Sequence, residues 1–467
     1  MSTSSSTPSL VTLPDELFLA ITSCLTPHEL ARLMRTCKRF NALVEPIFWT
    51  NIELHEVGFH ESSAELKEPP PFIPVSERLY HRKQPWGSGQ GAQVKAEKLF
   101  LLLQLLHDED FDRMQELTKR VRNLCTVIEP GIGPWDEVKQ ERKDVIQIWQ
   151  LLQFFTNLET LELHGDHYYS EEYELDTPEF TAPPLNLRFA KLFGYIPKSV
   201  ARWVIRAGDS LERLELGMLD RPISTSRSSE PNFSPLPEEN LAEPDDEYSD
   251  WGSLREETVI PRPQSGFLPD VGQLSLSRVK HLSFCQPSPG DGSSIDYSWS
   301  SRAEDACLDD WQGLIQAAGP TLETLVLEQR PAAEYIEQDG VSELEYLRRD
   351  SGSGNGPLVG MVMSLVANNV LPELKKVYLY GMVAGEDVNR RPSEDFSAGR
   401  LMTLLEARKI QCEARLGQWC PFDDSPGYAF WASWDGEESE DDYEDEEDEE
   451  YEDEESKMKW NTLLASV

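Results

Sequence analysis

Leu322-Glu-Thr-Leu325-Val-Leu327 restates two earlier phrases of the chain, Leu158-Glu-Thr-Leu161-Glu-Leu163 and Leu211-Glu-Arg-Leu214-Glu-Leu216. Val279-Lys-His-Leu282-Ser-Phe284 and Leu374-Lys-Lys-Val377-Tyr-Leu379 are looser copies, and Val121-Arg-Asn-Leu124 and Phe189-Ala-Lys-Leu192 are the loosest. The last apolar residues of each copy alternate with period two, so they share one face of a short strand. Several copies follow a segment with helical apolar spacing. Val145, Ile148, Trp149, Leu152 and Phe155 precede the copy at 158, and Val200, Trp203, Val204 and Ala207 precede that at 211. Trp311, Leu314, Ile315 and Ala318 precede the copy at 322, and Leu358, Val362, Leu365 and Val366 precede that at 374. A helix followed by a short strand, repeated, stacks into a parallel sheet with an outer helical layer. The expected fold is mixed α/β, with an irregular helix–strand solenoid over 120–434. The alternative is an ordinary α/β domain of unrelated helices and strands.

Upstream of the repeats, 55–119 reads as a helical linker region. Leu99-Phe-Leu-Leu-Leu-Gln-Leu-Leu106 is strongly apolar, and Phe111, Met114 and Leu117 continue at helical spacing. Residues 10–54 are richer in signals. Pro14 suits the first turn of a helix, where a missing N–H costs nothing, and Asp15 and Glu16 favour the positive end of its dipole. Leu17, Ile21 and Leu25 recur at i, i+4, i+8 as one apolar stripe. Thr26-Pro27-His28-Glu29 forms a capping box with Pro at the first helical position, so a second helix starts there. Leu30, Leu33, Met34 and Cys37 continue it. Phe40, Leu43 and Val44 make a third short face, which Pro46 should end, leaving Ile47, Phe48 and Trp49 as an apolar anchor. Three short amphipathic helices in so few residues make a poor core alone. The unit should bury its surplus apolar surface on a partner or on the domain that follows.

This stretch resembles the F-box. Leu13-Pro14-x-Glu16-Leu17, then Ile21, Leu25, Leu30, Leu33, Cys37-Lys-Arg-Phe40, Leu43, Pro46 and Trp49 follow that family's pattern in order and spacing. The resemblance covers about a tenth of the chain. It implies that Leu13, Pro14, Leu17, Ile21, Leu25, Leu30, Leu33, Cys37 and Leu43 pack on a Skp-type adaptor or support that face. It further implies that adaptor and cullin scaffold present a target protein, held by the C-terminal region, for ubiquitin transfer. The repeats in turn resemble the leucine-rich-repeat region found in many F-box proteins, with two departures. Spacings run from about 22 to 68 residues against a regular 20–29. The Asn expected eight residues after the first Leu is replaced by Asp166, Leu219, Pro287, Arg330 and Met382. A regular Asn ladder is therefore not expected.

Composition bounds the remaining possibilities. The 467 residues carry a formal net charge of −41, from 84 acids against 43 bases. That balance argues against nucleic acid or an anionic membrane as a partner, since both need Lys and Arg against phosphate. Much of the deficit sits in an acidic tail, 435–467, whose central run repels itself and is expected to be disordered. A Ser/Pro/acid-rich insertion at 220–262 reads as a long loop, and 1–9 as a disordered N-terminus. The acidity admits basic targets. It also admits a different function, an acidic chaperone-like binder of histones or other basic proteins with no ubiquitin role. The absence of a signal-like N-terminus and a dilute, odd set of seven cysteines suggest a cytoplasmic or nuclear protein.

Signals for bond chemistry are weak. No P-loop, dinucleotide fingerprint or nucleophile elbow occurs, so neither an active site nor a cofactor is expected. His164-Gly-Asp-His167 offers two imidazoles and a carboxylate, but reads as an exposed polar turn after a strand, and no metal is expected. Trp419 to Trp434 is dense in aromatics and turn residues, and reads as a cap on the open end of the repeats. Arg202, Arg206 and Arg213 are the candidate local basic patch in an otherwise acidic protein.

Overall fold

The computed structural model describes residues 13–54, 90–128, 146, 148–165, 180–219, 223–224, 259–260, 263–268, 274–288, 301–333, 356–382, 384–385, 392–415, 418–421 and 432–433. The acidic tail and most of the 220–262 insertion lie outside them. Three short helices open the chain: α1 (Asp15–Thr22), α2 (Pro27–Met34) and α3 (Lys38–Phe48). Strand β1 (Asn51–Glu53) follows at once. Helices α4 (Gln90–Glu109) and α5 (Phe111–Arg120) then lead into β2 (Asn123–Ile128).

From there helices and strands largely alternate. Short helix α6 (Ile148–Leu151), extended by a 3₁₀ turn, precedes β3 (Thr160–Gly165). Strand β4 (Phe189–Tyr195), α7 (Lys198–Ile205) and β5 (Arg213–Leu219) come next. Two dipeptide strands, β6 (Ile223–Ser224) and β7 (Val259–Ile260), pair antiparallel at the base of the insertion. Then follow β8 (His281–Ser288), α8 (Ser301–Ala318), β9 (Thr324–Ala333), α9 (Gly356–Ala367), β10 (Lys376–Tyr380), α10 (Ser397–Ala407) and β11 (Gln411–Arg415). The sheet runs β1-β2-β3-β4-β5-β8-β9-β10-β11, in chain order, and every pair along that path is parallel. No helix among the described residues is long and apolar enough to cross a membrane.

Each copy of the leucine phrase becomes one strand, and the copies stand in register. Ile52, Leu124, Leu161, Ala190, Leu214, Leu282, Leu325, Val377 and Cys412 form one continuous row across the sheet. A second row runs Leu163, Leu192, Leu216, Phe284, Leu327, Leu379, Ala414. These rows join the apolar faces of the helices, including Trp203, Trp311, Val362 and Leu401, in a single core. The register also realigns the loosest copy. Its phrase starts at Leu187, not Phe189, because Ala190 occupies the leucine position and hides the match.

The second position of the phrase forms its own row. Arg122, Glu159, Arg188, Glu212, Lys280, Glu323 and Lys375 alternate base and acid across seven successive strands. Arg122 pairs with Glu159, and Arg188 binds Glu212 through two nitrogens at 3.1 and 3.0 Å. Glu323 takes Lys280 at 3.2 Å and Lys375 at 2.5 Å. Beneath these side chains the backbone makes a matching ladder. The carbonyls of Arg122, Glu159, Arg188, Glu212, Lys280 and Glu323 each accept two consecutive N–H groups from the next strand's start, at 2.8–3.2 Å. Alternating charge is thus set where it neutralises itself between neighbouring strands.

Three expectations need correction. Helix α3 continues through Pro46 to Phe48; the proline sits in the last turn, where the lost bond is one of few, and Trp49 N–H still reaches the Glu45 carbonyl at 3.1 Å. The aromatic segment, read as a cap on the open end of the repeats, does not pair with the last strand, β11, in its described parts. Its described parts, β12 (Gln418–Pro421) and β13 (Ala432–Ser433), pair with each other, and β12 pairs with the end of β9. The three arginines form no patch. Arg213 is buried against Glu215, while Arg202 donates to the carbonyls of Gly266 and Phe267 at 2.6 and 3.1 Å. Those carbonyls belong to 263–268, the chain returning from the insertion, which Asp310 also holds by accepting from Gly266 N–H at 2.5 Å.

The charge row yields a pH-dependent prediction. Hydrogen bonds from Lys375 and Lys280 hold the Glu323 carboxyl below its ordinary range. A depressed carboxyl contributes stability above its unfolded pKa and loses it as pH falls through the folded one. Glu323→Gln should lower the unfolding free energy by about 1 kcal/mol at neutral pH. The difference should fade as pH drops below the ordinary carboxyl range and through the depressed folded value, and shrink at about 1 M salt, as measured by urea unfolding. A deficit independent of pH and salt would refute the pairing as its cause.

Candidate functional site

The N-terminal helices are shaped by local chemistry. Pro14 caps α1 and accepts from Phe18 N–H at 3.0 Å, and Asp15 and Glu16 occupy the first turn. Thr26 and Glu29 close the capping box of α2: Glu29 N–H reaches the Thr26 hydroxyl at 3.3 Å, and Thr26 N–H reaches the Glu29 carboxylate at 2.8 Å. That backbone bond draws the Glu29 carboxyl below its usual range. Phe18 stacks on Phe40 at 4.4 Å between ring centres, and with Leu30 and Val44 they form a small separate core.

The predicted adaptor-facing residues divide into two groups around this core. Leu30 is buried within it, and Leu25, Leu33, Cys37 and Leu43 pack half-buried against it. Leu13 is half-buried at the start of α1, and Pro14 is exposed. Leu17 and Ile21 point outward together, 56% and 43% exposed, and Leu19, on another side of the helix, is 36% exposed. The stripe read as Leu17, Ile21 and Leu25 is therefore not the inward face of α1; Phe18 and Thr22 are. Helix α1 thus leaves apolar side chains facing water. Arg39 on α3 fixes the start of α1, donating to the Leu13 carbonyl at 2.5 Å and to Asp15 at 2.6 Å.

This unit is attached firmly to the sheet. β1 adds to β2 in register, and Arg122 and Asn123 N–H both donate to the Thr50 carbonyl, at 2.9 and 3.1 Å. Glu45 on α3, 14% exposed, accepts from both Arg113 and Arg120 of α5. Glu116 braces the same two guanidiniums from outside, at 2.8 and 2.5 Å. Glu45 was not singled out in the sequence, since its partners lie 68 and 75 residues away and only the fold brings them together.

The face of the sheet opposite the leucines carries the other concentration of chemistry. Glu162 and His164 of β3 are both 2% exposed, with His164 Nε2 2.5 Å from Glu162 Oε1. Lys191 of β4 lies 3.1 Å from the same carboxylate and 5.4 Å from the centre of the Phe193 ring. A Cβ at Gly217 would stand 2.8 Å from that ring, so the glycine makes room for Phe193 on this face. On β5, Arg213 donates to Glu215 at 2.5 Å and lies over Phe189 at 5.6 Å. Burial, with Arg213 nearby, pushes the imidazole of His281 down. His164 is thus not part of an exposed turn; the strand runs on through Gly165 and draws it inside, while His167 lies outside the described residues. Cys125 stands opposite Glu162 in β2. Cys125, Glu162 and His164 are a buried group able to hold a metal ion.

Residues 10–55 fit the family model described as F-box-like, so the chain carries an F-box-like domain at its N-terminus. No curated protein matches the chain.

The Glu45 clamp sets a stability prediction. Removing the shared acceptor of two partly buried guanidiniums leaves both short of a partner. Glu45→Ala should destabilise the protein by about 2 kcal/mol. Thermal unfolding checks this, and a loss below about 0.5 kcal/mol would place the pair among inert surface contacts.

Proposed function

We propose that this chain is the target-recognition subunit of a Skp–cullin–F-box type ubiquitin ligase. The F-box-like domain supports an adaptor role in general. The observation that carries the finer reading is the exposed strip of α1. Leu17, Leu19 and Ile21 account for three of the four exposed large hydrophobics among the described residues. On this reading the strip, with Leu13 and Pro14, is the surface that a Skp-type adaptor covers. Leu25, Leu30, Leu33, Cys37 and Leu43 hold the helices that present it.

The body of the protein then supplies the target surface. We read the in-order parallel sheet as an irregular solenoid resembling leucine-rich repeats, its leucine rows inside and its opposite face and loops available for recognition. The work done is positioning: a bound target is held at high effective concentration beside the ligase, with no bond chemistry in this chain. Net charge favours basic targets, in the cytoplasm or nucleus. The continuity of β1 with β2 and the Glu45 clamp support this reading. A rigid joint between adaptor surface and target surface keeps the target's position defined.

Leu17→Ala with Ile21→Ala tests the adaptor surface. Burying both side chains contributes about 2–4 kcal/mol to binding, so the double variant should bind a Skp-type adaptor at least about thirtyfold more weakly. Its melting temperature should be nearly unchanged, because both residues already face water. Phe18→Ala is the contrast, unfolding the three-helix unit through loss of its central ring. Undiminished co-purification with the double variant, or none with the unaltered protein, refutes the proposal.

A further inference from the structure

Cys125, Glu162 and His164 present one sulfur, one carboxylate and one imidazole on the same face of two adjacent strands. The β2–β3 register sets Cys125 directly opposite Glu162, and His164 follows two residues along β3, so period two returns it to that face. Their donor atoms all lie within 4.8 Å of one another, and the residues are only 4%, 2% and 2% exposed. We propose that these three residues bind a divalent cation of the zinc class.

The donor chemistry selects the ion. A thiolate with an imidazole favours zinc or another late first-row metal over magnesium or calcium, which take oxygen ligands. Thiolate and carboxylate together neutralise the two charges of the ion, and three protein ligands leave the fourth tetrahedral position open. Donors on tetrahedral zinc sit about 3.3–3.7 Å apart, with bonds of about 2.0 Å to nitrogen or oxygen and about 2.3 Å to sulfur. Glu162 must turn its carboxylate away from His164, and the three donors, already within 4.8 Å of one another, close on the ion. Both strands are fixed from the leucine side, which holds the ligands at this spacing without the ion.

Lys191 is the ion's competitor. Its ammonium lies 3.1 Å from Glu162 Oε1 and balances the carboxylate when no metal is bound. With metal present that balance is redundant, and the ammonium retains its cation–π contact with the Phe193 ring, whose centre lies 5.4 Å from Nζ. A structural ion pair needs Lys191; a metal site is opposed by it.

The test uses the full chain, purified without chelator and without an affinity tag that binds metal. Mass spectrometry of the metal content should give about one zinc per chain. Replacement by Co²⁺ should add a near-ultraviolet thiolate-to-cobalt band. Cys125→Ser and His164→Asn should each remove the metal and the band, with folding checked by circular dichroism. Lys191→Met should keep the metal and bind it about tenfold more tightly. The proposal is overturned if the unaltered protein, offered zinc, holds less than about a fifth of an equivalent and cobalt gives no band. It is equally overturned if Cys125→Ser and His164→Asn retain the metal, or if Lys191→Met weakens it.

Discussion

Much of the structure depends on how each strand begins. Its first residue and the residue before it both donate N–H to one carbonyl of the preceding strand, from Thr50 through Glu323, and Gln411 completes the series on Lys375. A buried amide must find a partner, and a doubled bond at the same point in every phrase leaves no freedom to slip. A one-residue slip would turn the leucine rows to the opposite face. The ladder fixes register, and register assembles the single core. Loops of very unequal length are tolerated between strands because lengthening a flexible loop costs only about 0.6 kcal/mol per doubling. Irregular spacing is therefore compatible with a regular sheet.

The same ladder reaches into the N-terminal unit. Thr50, the turn after α3, supplies the first of these carbonyls, and β1 supplies the first strand. The F-box-like domain is thus part of the sheet's edge. A three-helix unit with a core of Phe18, Leu30, Phe40 and Val44 buries too little to hold a fixed orientation alone. It gains that orientation from β1 and from Glu45 gripping α5. Helix α1, which carries neither β1 nor Glu45, is the element that shows leucine and isoleucine to water.

How far these features could be read beforehand follows from what each signal measures. The leucine phrase was legible because it records burial and period together, and it placed strands and several preceding helices. It misplaced the copy at β4, where Ala190 substitutes for leucine. It missed β1 and β11, since three-residue or charge-rich strands have little period to show. In α1 the i, i+4 spacing of Leu17 and Ile21 marked a real stripe but not its direction. A stripe facing a partner and one facing the protein's own core look alike in sequence. The alternating row at the second phrase position was in view from the start, yet it carries meaning only when those residues stand side by side.

The face opposite the leucines poses a different energetic problem. Burying Glu162, His164, Arg213 and Glu215 in place of apolar side chains generally costs stability, because desolvation offsets the attraction within each pair. The leucine side already supplies the core, so this face does not need those charges for folding. Nor does register need them, since the charged row and the backbone ladder at the strand starts already set it. A cost borne without structural return points to a use, and the residues sort accordingly. Arg213 and Glu215 satisfy each other on one strand. Glu162 is claimed at once by His164 and Lys191, with a thiol opposite. A carboxylate that holds an imidazole and an ammonium on one oxygen, Oε1, beside a thiol has the donor set to exchange the ammonium for a stronger cation.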